Sequence, residues 1–315
     1  MTTQRARLLF ALKVLYLVAV ASVVTWAVLN IDTPWSRVAE LMRRPQSYVF
    51  IVAWTVMVVL LGMLWATWLK WACGLVLPAR YWLPLQFIAW SGRYLPGKVG
   101  LLAGKLSVTE RGAALRTVAI SVAVEQLGFV VAGFAVGTTL LPLAEVRRFL
   151  PVELQPGAVG VIAKLLVLAA CLGIFVGAIR LAGRLLDGRW NAEATGPTRL
   201  AGLLTCYAVP HLTVGVAFYA LVTSGTEMSR ELPLAYAVAL LALAHVGGAV
   251  AVFAPAGIGV REGIIVAGLA GFMGLGEALL VAAWLRVLSL IADAAILVLG
   301  VGLVRRTRAA PTFRP

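Results

Sequence analysis

The chain has 315 residues, of which 62% are hydrophobic and 13% are charged, and it carries a net charge of +14. Soluble domains are usually about 45–50% apolar and about 25% charged, so this composition excludes an ordinary soluble domain and predicts an integral membrane protein. The basic residues lie mainly at the ends of apolar segments, as cytoplasmic loops require. No soluble basic domain is present to bind nucleic acid, and we expect no such partner.

Six apolar segments are close to the length of about 20 residues that a membrane-spanning helix requires. They cover about residues 10–30, 48–69, 113–141, 157–181, 200–224 and 277–304. The first follows a basic N-terminus and is longer than the apolar core of a signal peptide, so we expect it to be a retained helix. Arginine and lysine accumulate in the N-terminus, the loop at 182–199 and the tail at 305–315. This predicts that both termini are cytoplasmic.

Two further apolar segments, about 74–111 and 233–275, are interrupted by glycine, proline and charge. The loops at 142–156 and 225–232 carry no excess of positive charge and are expected to face outward. With six spans, both termini inside and these two loops outside, each segment must cross the membrane an even number of times. The part after each break is too short to span, because a helix rises only about 1.5 Å per residue. We therefore predict two re-entrant helical hairpins with tips near residues 96 and 256. Two full crossings are the alternative for each segment.

The first hairpin lies between charged residues that we expect to face the cytoplasm. Lys70 and Arg80 precede the break, and Lys105, Glu110 and Arg111 follow it. Charges of this kind usually mark a membrane interface. The first hairpin is therefore expected to enter from the cytoplasmic side and the second from the opposite side.

The two halves of the chain share one layout. Residues 1–141 and 157–304 each contain three spans and one hairpin, and the first half starts inside whereas the second starts outside. This is an inverted-topology repeat, an arrangement found in many transporters. The predicted fold class is an all-α polytopic membrane protein, a single domain over 1–315, with about six full spans plus two re-entrant helical hairpins. Residues 305–315 form a basic cytoplasmic tail.

Each hairpin tip combines helix-breaking residues with fixed positive charge. Proline and glycine interrupt the helices at Pro96, Gly97, Pro255, Gly257 and Gly259. Backbone amides freed at the start of a second arm favour an anion. Lys98 and Arg261 lie at this position, and Arg93 lies about one turn before the first tip. The pattern predicts a phosphate-binding site, and the alternative is that these cations only reach the interface and fix topology.

Four more charged residues lie within predicted helices. Glu262 adjoins Arg261, and we consider three roles for it: pairing with another charge, binding a cationic head group and relaying a proton. The others are Glu125, Arg286 and Asp293. The offset between the halves brings Glu125 near Arg286, so these residues are expected to form either a network that gates or couples transport or a structural ion pair.

No arrangement of residues indicates catalysis. His211 and His245 are far apart, without the spacing of a metal site, and the chain has no P-loop or nucleophile elbow. We therefore predict that the protein is not an enzyme and that it needs no metal or cofactor.

The segments Tyr94-Leu95-Pro96-Gly97-Lys98 and Pro255-Ala256-Gly257-Ile258-Gly259-Val260-Arg261-Glu262 resemble the transmembrane family of lysylphosphatidylglycerol synthases, over nearly the whole chain. That family includes the flippase region of bifunctional lysyl-lipid synthases and many stand-alone proteins. The resemblance implies translocation of a lipid or lipid-linked head group across the cytoplasmic (inner) membrane of a bacterium. Arg261 and Glu262 match the family's Arg-Glu, and Lys98 matches its Pro-Gly-Lys region. The sequence has no soluble aminoacyl-transfer domain, so we expect it not to make lysyl-lipid.

The leading hypothesis is a flippase for a phosphate-bearing lipid. Candidate cargoes, and hence partners, are a phospholipid, an aminoacyl-phospholipid and a polyprenyl-phosphate-linked sugar. Two other classes stay open. One is an ion-coupled transporter of a small soluble anion, and the other is a non-transporting membrane partner of an envelope-synthesis enzyme.

Overall fold

The computed structural model describes residues 35–94, 99–111, 114–142, 158–185, 196–226, 228, 231–251 and 254–309. Every regular element within these ranges is helical. The α-helices, numbered α1 to α10, are Trp35–Arg43, Pro45–Cys73, Ala79–Ser91, Val99–Lys105, Leu115–Leu140, Ala158–Leu185, Pro197–Gly225, Leu234–Val250, Val260–Met273 and Leu275–Ala309. Short 3-10 helices occupy Gly92–Tyr94, Leu106–Arg111 and Pro255–Gly257. The predicted span at 10–30 and the tip residues Pro96, Gly97 and Lys98 lie outside the described residues.

Among the described residues, six helical segments are long and apolar enough to cross a membrane: Pro45–Trp71, Leu115–Leu140, Gly160–Arg184, Thr198–Gly225, Pro255–Met273 and Leu275–Arg306. Five of them overlap predicted spans, which confirms a multi-pass helical membrane protein. The sixth is the part of the second interrupted segment that we expected to be too short. It reaches 19 residues because the Pro255–Gly257 turn leads directly into α9, which alone has 14 residues.

Local sequence signals explain where the long helices begin and end. Pro45 and Pro197 occupy the first turn of α2 and α7, where the missing N–H of proline costs no hydrogen bond. Helix α2 ends at Gly74, which adopts a left-handed conformation with φ of 68° and donates its N–H to the carbonyl of Lys70. A glycine at this position closes the helix without a Cβ clash.

Helices α2, α5, α7 and α8 form the centre of the bundle, and α10 packs against α2, α3 and α9. The largest fully buried side chains are aromatic and include Trp54, Trp65, Trp68, Trp284 and Tyr207. Helix α6 lies at the outside against α5 and α7, and it exposes a row of apolar side chains such as Leu165 and Leu166. Exposed apolar surface of this kind suits contact with lipid chains.

The first interrupted segment is a helix pair in which α3 and α4 run antiparallel. Gly92 lies against Gly100, and Gly104 lies against Ala89, so closely that a Cβ on Gly104 would stand 2.5 Å from the Cα of Ala89. Helix α3 has 13 residues and α4 has seven. At about 1.5 Å per residue, both are shorter than the hydrocarbon core of about 30 Å. We call α3 and α4 the first pair.

The second interrupted segment folds back in the same way. Helices α8 and α9 run antiparallel: the hydroxyl of Tyr236 near the start of α8 donates to the carbonyl of Gly268 in α9 at 2.9 Å, and Gly248 near the end of α8 lies against Gly257. We call α8 and α9 the second pair. The re-entrant placement of both pairs, and their relation by an inverted repeat, stay predictions.

Gly257 is required by the turn of the second pair. Its φ is 69°, and a Cβ there would stand 2.6 Å from the Cα of Gly248. We expect Gly257→Ala to lower the free energy of unfolding in detergent by about 1–3 kcal/mol, because both the positive φ and the close helix approach oppose a side chain. Gly263→Ala is the control, since no atom lies within 4 Å of its Cβ position. In a helix interior this change is expected to raise stability by up to about 1 kcal/mol. Equal effects of the two changes would contradict the prediction.

Candidate functional site

The turns of the two helix pairs meet inside the bundle. The Gly92–Tyr94 turn contacts the Pro255–Gly257 turn, and a cavity of about 70 Å³ lies beside them. Side chains from α2, α3, α4, α5, α8 and α9 and from both turns line it: Trp54, Met57, Trp90, Arg93, Leu101, Gln126, Phe129, His245, Gly248, Ala249, Ala256 and Arg261. A space of this size holds a few water molecules or one phosphate-sized group.

The cavity wall is positively charged and aromatic. The guanidinium of Arg93 stacks on Trp90 with 4.2 Å between its Cζ and the ring centroid, and that of Arg261 lies 5.5 Å from the Trp54 ring. Arg261 is only 4% exposed. No carboxylate is among the described residues that line the cavity. This lining favours an anion over a cation, because the charged groups that line the cavity are both guanidinium groups and would repel a cation.

Asp293 on α10 holds the first turn in place. Its Oδ1 accepts hydrogen bonds from the indole N–H groups of Trp54 at 2.9 Å and Trp90 at 3.0 Å. Its Oδ2 accepts from Arg93 Nη2 and from the Tyr94 hydroxyl, both at 2.5 Å. Four donors on one buried carboxylate satisfy its charge and fix the position of Arg93. Asp293 is thus a structural partner of the cavity wall and does not itself line the cavity.

Glu262 occupies the N-terminus of α9. Its Oε2 accepts the N–H of Gly259 at 2.7 Å, while its Oε1 accepts from Arg261 Nη2 at 2.9 Å and lies 3.6 Å from Arg286 Nη1. A carboxylate at this position stabilises the free amides of the helix start. The Gly259 amide, which we expected to help bind an anion, therefore already has a partner. Of the three roles considered for Glu262, the structure shows the charge pairing.

The charges around the two turns do not balance. Arg93, Arg261 and Arg286 lie with only two carboxylates, Glu262 and Asp293, which leaves one positive charge in excess among these five residues. Arg93 Nε and Arg286 Nη1 are buried and have no hydrogen-bond partner within the described residues. Buried charge is costly unless it is compensated, so this cluster is suited to an added negative charge.

Glu125 belongs to a different cluster from Arg286. Its carboxylate forms a fully buried ion pair with Lys105 and accepts a hydrogen bond from Gln86 at 3.3 Å. The ammonium of Lys105 also lies 4.1 Å from the centroid of the Trp65 ring. The expected pairing of Glu125 with Arg286 is wrong, since Arg286 lies beside Glu262 instead. The expectation that Lys105 marks a membrane interface is wrong too, because its side chain is buried in the bundle.

The structure brings together most of the predicted site residues. Arg93, Arg261, Glu262, Arg286 and Asp293 form one cluster at the two turns, together with Pro255, Gly257 and Gly259. Five residues whose partners are distant in the chain were not predicted as site residues: Trp54, Trp90, Tyr94, Lys105 and His245. Ser289, between Arg286 and Asp293 on α10, accepts a hydrogen bond from Arg261 at 3.3 Å, and the three- and four-residue spacing of these polar residues was the available signal.

No family model matches the chain, and no curated protein matches its sequence. Within the described ranges, no group of three or more histidine, cysteine, aspartate or glutamate side chains is placed to hold a metal ion. The fold defines the class: a multi-pass α-helical membrane protein with a small, positively charged cavity between two folded-back helix pairs.

Proposed function

We propose that this protein translocates a phosphate-bearing lipid across the cytoplasmic membrane of a bacterium. The observation that carries the proposal is the cavity at the junction of the two turns, where Arg93 and Arg261 line the wall and the described lining residues include no carboxylate. An arginine presents planar paired donors that match a phosphate group. The resemblance of the two tip segments to the transmembrane family of lysylphosphatidylglycerol synthases supports the same function.

The size of the cavity indicates which part of the lipid it binds. About 70 Å³ accommodates a phosphate group and a small part of its substituent, whereas acyl chains require far more volume. The chains would stay in the surrounding lipid while the charged group passes through the protein. The main barrier to lipid flipping is the free energy of moving the charged head group through hydrocarbon, whereas an acyl chain meets no such barrier. A cavity that binds only the head group lowers that barrier.

The excess positive charge gives the ligand a direct energetic role. With a phosphate monoanion bound, the cluster of Arg93, Arg261, Arg286, Glu262 and Asp293 would become neutral overall. Neutralisation lowers the cost of exposing the site to a less polar environment. A transition in which the two helix pairs move past each other would then occur more readily with ligand than without it. In this proposal each half of an inverted repeat contributes one of the two moving helix pairs, and both termini are in the cytoplasm.

We expect Arg261→Ala to reduce the affinity for a phosphate-bearing lipid by about tenfold or more, because a hydrogen bond to a charged group contributes about 1.5–3 kcal/mol. Native mass spectrometry of purified protein measures the retained lipid. Proteoliposomes with a head-group-labelled phospholipid measure its translocation. Arg261→Lys tests geometry separately from charge and is expected to retain part of the binding.

Arg305→Ala is the matched control, because Arg305 is exposed near the end of α10. It should leave lipid binding and translocation unchanged. Binding and transport by Arg261→Ala at the level of the unaltered protein would contradict the proposal. Binding without any transport by the purified protein would instead favour a non-transporting partner of an envelope-synthesis enzyme.

A second candidate is a transporter of a small soluble anion, and the small cavity volume favours it. Inorganic phosphate distinguishes the two functions. Under the lipid proposal, millimolar phosphate competes weakly with bound lipid and is not taken up by proteoliposomes. Uptake of labelled phosphate that depends on Arg261 would show that the protein transports a small soluble anion and would contradict the lipid proposal.

A further inference from the structure

Besides the two arginines, an amide and an imidazole side chain line the cavity. They are Gln126 on α5 and His245 on α8. His245 is only 7% exposed, and neither of its ring nitrogens has a hydrogen-bond partner among the described residues. Its ring is fixed by aromatic neighbours, with centroids 5.6 Å from Trp54 and 6.1 Å from Phe129. A buried polar group that faces a cavity without a protein partner is available to bond a water molecule, an ion or a ligand group there.

We infer that His245 and Gln126 form a subsite for an uncharged, hydroxyl-bearing head group attached to the phosphate. The inference rests on the proposed phosphate site and specifies its substrate class. A neutral imidazole offers one donor and one acceptor, and a primary amide offers both as well. Hydroxyl groups also donate and accept, so a glycerol or sugar substituent matches both side chains at once.

The same wall disfavours a head group that carries an amine. An ammonium group in this space would meet Arg93 and Arg261, and the described lining residues supply no carboxylate to pair with it. Aromatic faces bind cations in other proteins, but here Arg93 already lies 4.2 Å from the Trp90 ring and Arg261 lies 5.5 Å from the Trp54 ring. The repulsion between like charges is strong where water is scarce. Of the three candidate cargoes, the aminoacyl-phospholipid therefore fits least well.

His211 shows what a histidine with a structural role looks like in this bundle. Its ring centroid lies 6.0 Å from that of His245, but it does not line the cavity. Its Nε2 lies 2.9 Å from the carbonyl oxygen of Phe129, and since a carbonyl only accepts, this nitrogen carries the proton. The two histidines thus provide a matched pair, one facing the cavity and one bonded to the backbone.

The test is a competition among lipids with identical acyl chains, measured by native mass spectrometry of the full-length protein. The probes are phosphatidylglycerol, phosphatidic acid, phosphatidylethanolamine and lysyl-phosphatidylglycerol. We expect phosphatidylglycerol to bind about tenfold or more tightly than the two amine-bearing lipids, since a site built to hydrogen-bond hydroxyls discriminates strongly. His245→Phe should lower the affinity for phosphatidylglycerol to that for phosphatidic acid and leave phosphatidic acid binding unchanged. Gln126→Leu should have the same direction of effect.

Each outcome separates the subsite from the phosphate site. His211→Phe should preserve the order of affinities, which controls for loss of a buried imidazole. If Arg261-dependent binding occurs but an amine-bearing lipid binds as well as or better than phosphatidylglycerol, the subsite inference is wrong and the proposed function stands. An unchanged lipid preference in both His245→Phe and Gln126→Leu also overturns the subsite. If no phosphate-bearing lipid binds in an Arg261-dependent manner, the proposed function fails, and the subsite inference fails with it.

Discussion

Glu125→Gln is expected to lower the free energy of unfolding by about 3–5 kcal/mol, because it removes one partner of a buried ion pair and leaves the other charge uncompensated. Both side chains of the pair are almost completely buried, with 1% of Lys105 and 3% of Glu125 exposed. The Trp65 ring beside the ammonium provides only a fraction of the lost Coulomb energy. Denaturant-induced unfolding of the purified protein in detergent measures the change.

A double change shows how much of this loss comes from the isolated charge. Lys105→Met together with Glu125→Gln removes both charges and keeps the volumes similar, so it should recover most of the stability lost in Glu125→Gln alone. The glutamine also retains an acceptor for the Gln86 amide, which bonds Glu125 Oε1 at 3.3 Å. A double variant as unstable as the sum of the two single variants would show that the charges do not interact.

Glu40→Gln is the control on an exposed pair. Glu40 Oε1 lies 3.0 Å from Arg44 Nη2, with 66% of the Glu40 side chain exposed. Water and flexibility weaken such pairs to about 0–1 kcal/mol. If Glu125→Gln and Glu40→Gln cost the same, the interpretation of Lys105 and Glu125 as a charged buried pair is wrong.

The sequence was sufficient for features that depend on neighbouring residues. Runs of apolar residues predicted five of the six long helices in the described residues, and proline and glycine located the breaks at 255–259. Arg286 and Asp293 are seven residues apart, a spacing that puts both on one face of α10, and both lie near the two turns. These signals follow from helix periodicity and backbone sterics, which operate within a few residues.

Features that depend on packing were not predictable from the sequence. Trp54 and Trp90 donate hydrogen bonds to Asp293, which is 239 and 203 residues away in the chain. From the sequence alone, a tryptophan within an apolar segment is expected to face lipid or to pack in the core. The offset between the halves predicted that Glu125 and Arg286 lie near each other, but it carried no information on the direction in which each side chain points around its helix, and the two residues have different partners. Lys105 lies after the break in the first interrupted segment, where a charge usually marks the membrane interface. Its partner Glu125 belongs to another helix, so the sequence did not indicate the pair.

Asp293→Asn is expected to cost about 3–5 kcal/mol of stability, comparable to the loss in Glu125→Gln, because it removes the carboxylate that pairs with Arg93. Each carboxylate oxygen accepts from two donors: Oδ1 from the indoles of Trp54 and Trp90, and Oδ2 from Arg93 and Tyr94. An asparagine amide has only one oxygen, so in either orientation its NH₂ group faces two donors. Ser289→Ala, one turn earlier on α10, loses the 3.3 Å bond from Arg261 and the 2.9 Å bond that the hydroxyl donates to the carbonyl of Arg286 in its own helix. It leaves no charge without a partner and should cost only about 1 kcal/mol.

The same change should strengthen the response of the protein to an anionic lipid. Without the charge of Asp293, three arginines near the turns would face the single carboxylate of Glu262, so the positive excess would rise from one to two. A ligand that binds only the folded state stabilises it by an amount that grows with the logarithm of the ratio of ligand concentration to Kd, so tighter binding gives a larger stabilisation. Saturating phosphatidylglycerol should therefore raise the midpoint of thermal unfolding more in Asp293→Asn than in the unaltered protein, although the variant starts from a lower midpoint.

A smaller rise in the variant would mean that Asp293 supports binding by holding Arg93 in place. The position of the guanidinium would then matter more for binding than the total charge of the site. An equal starting stability would show that the carboxyl group carries no charge in the folded protein, and the charge balance that motivates an anionic ligand would be wrong.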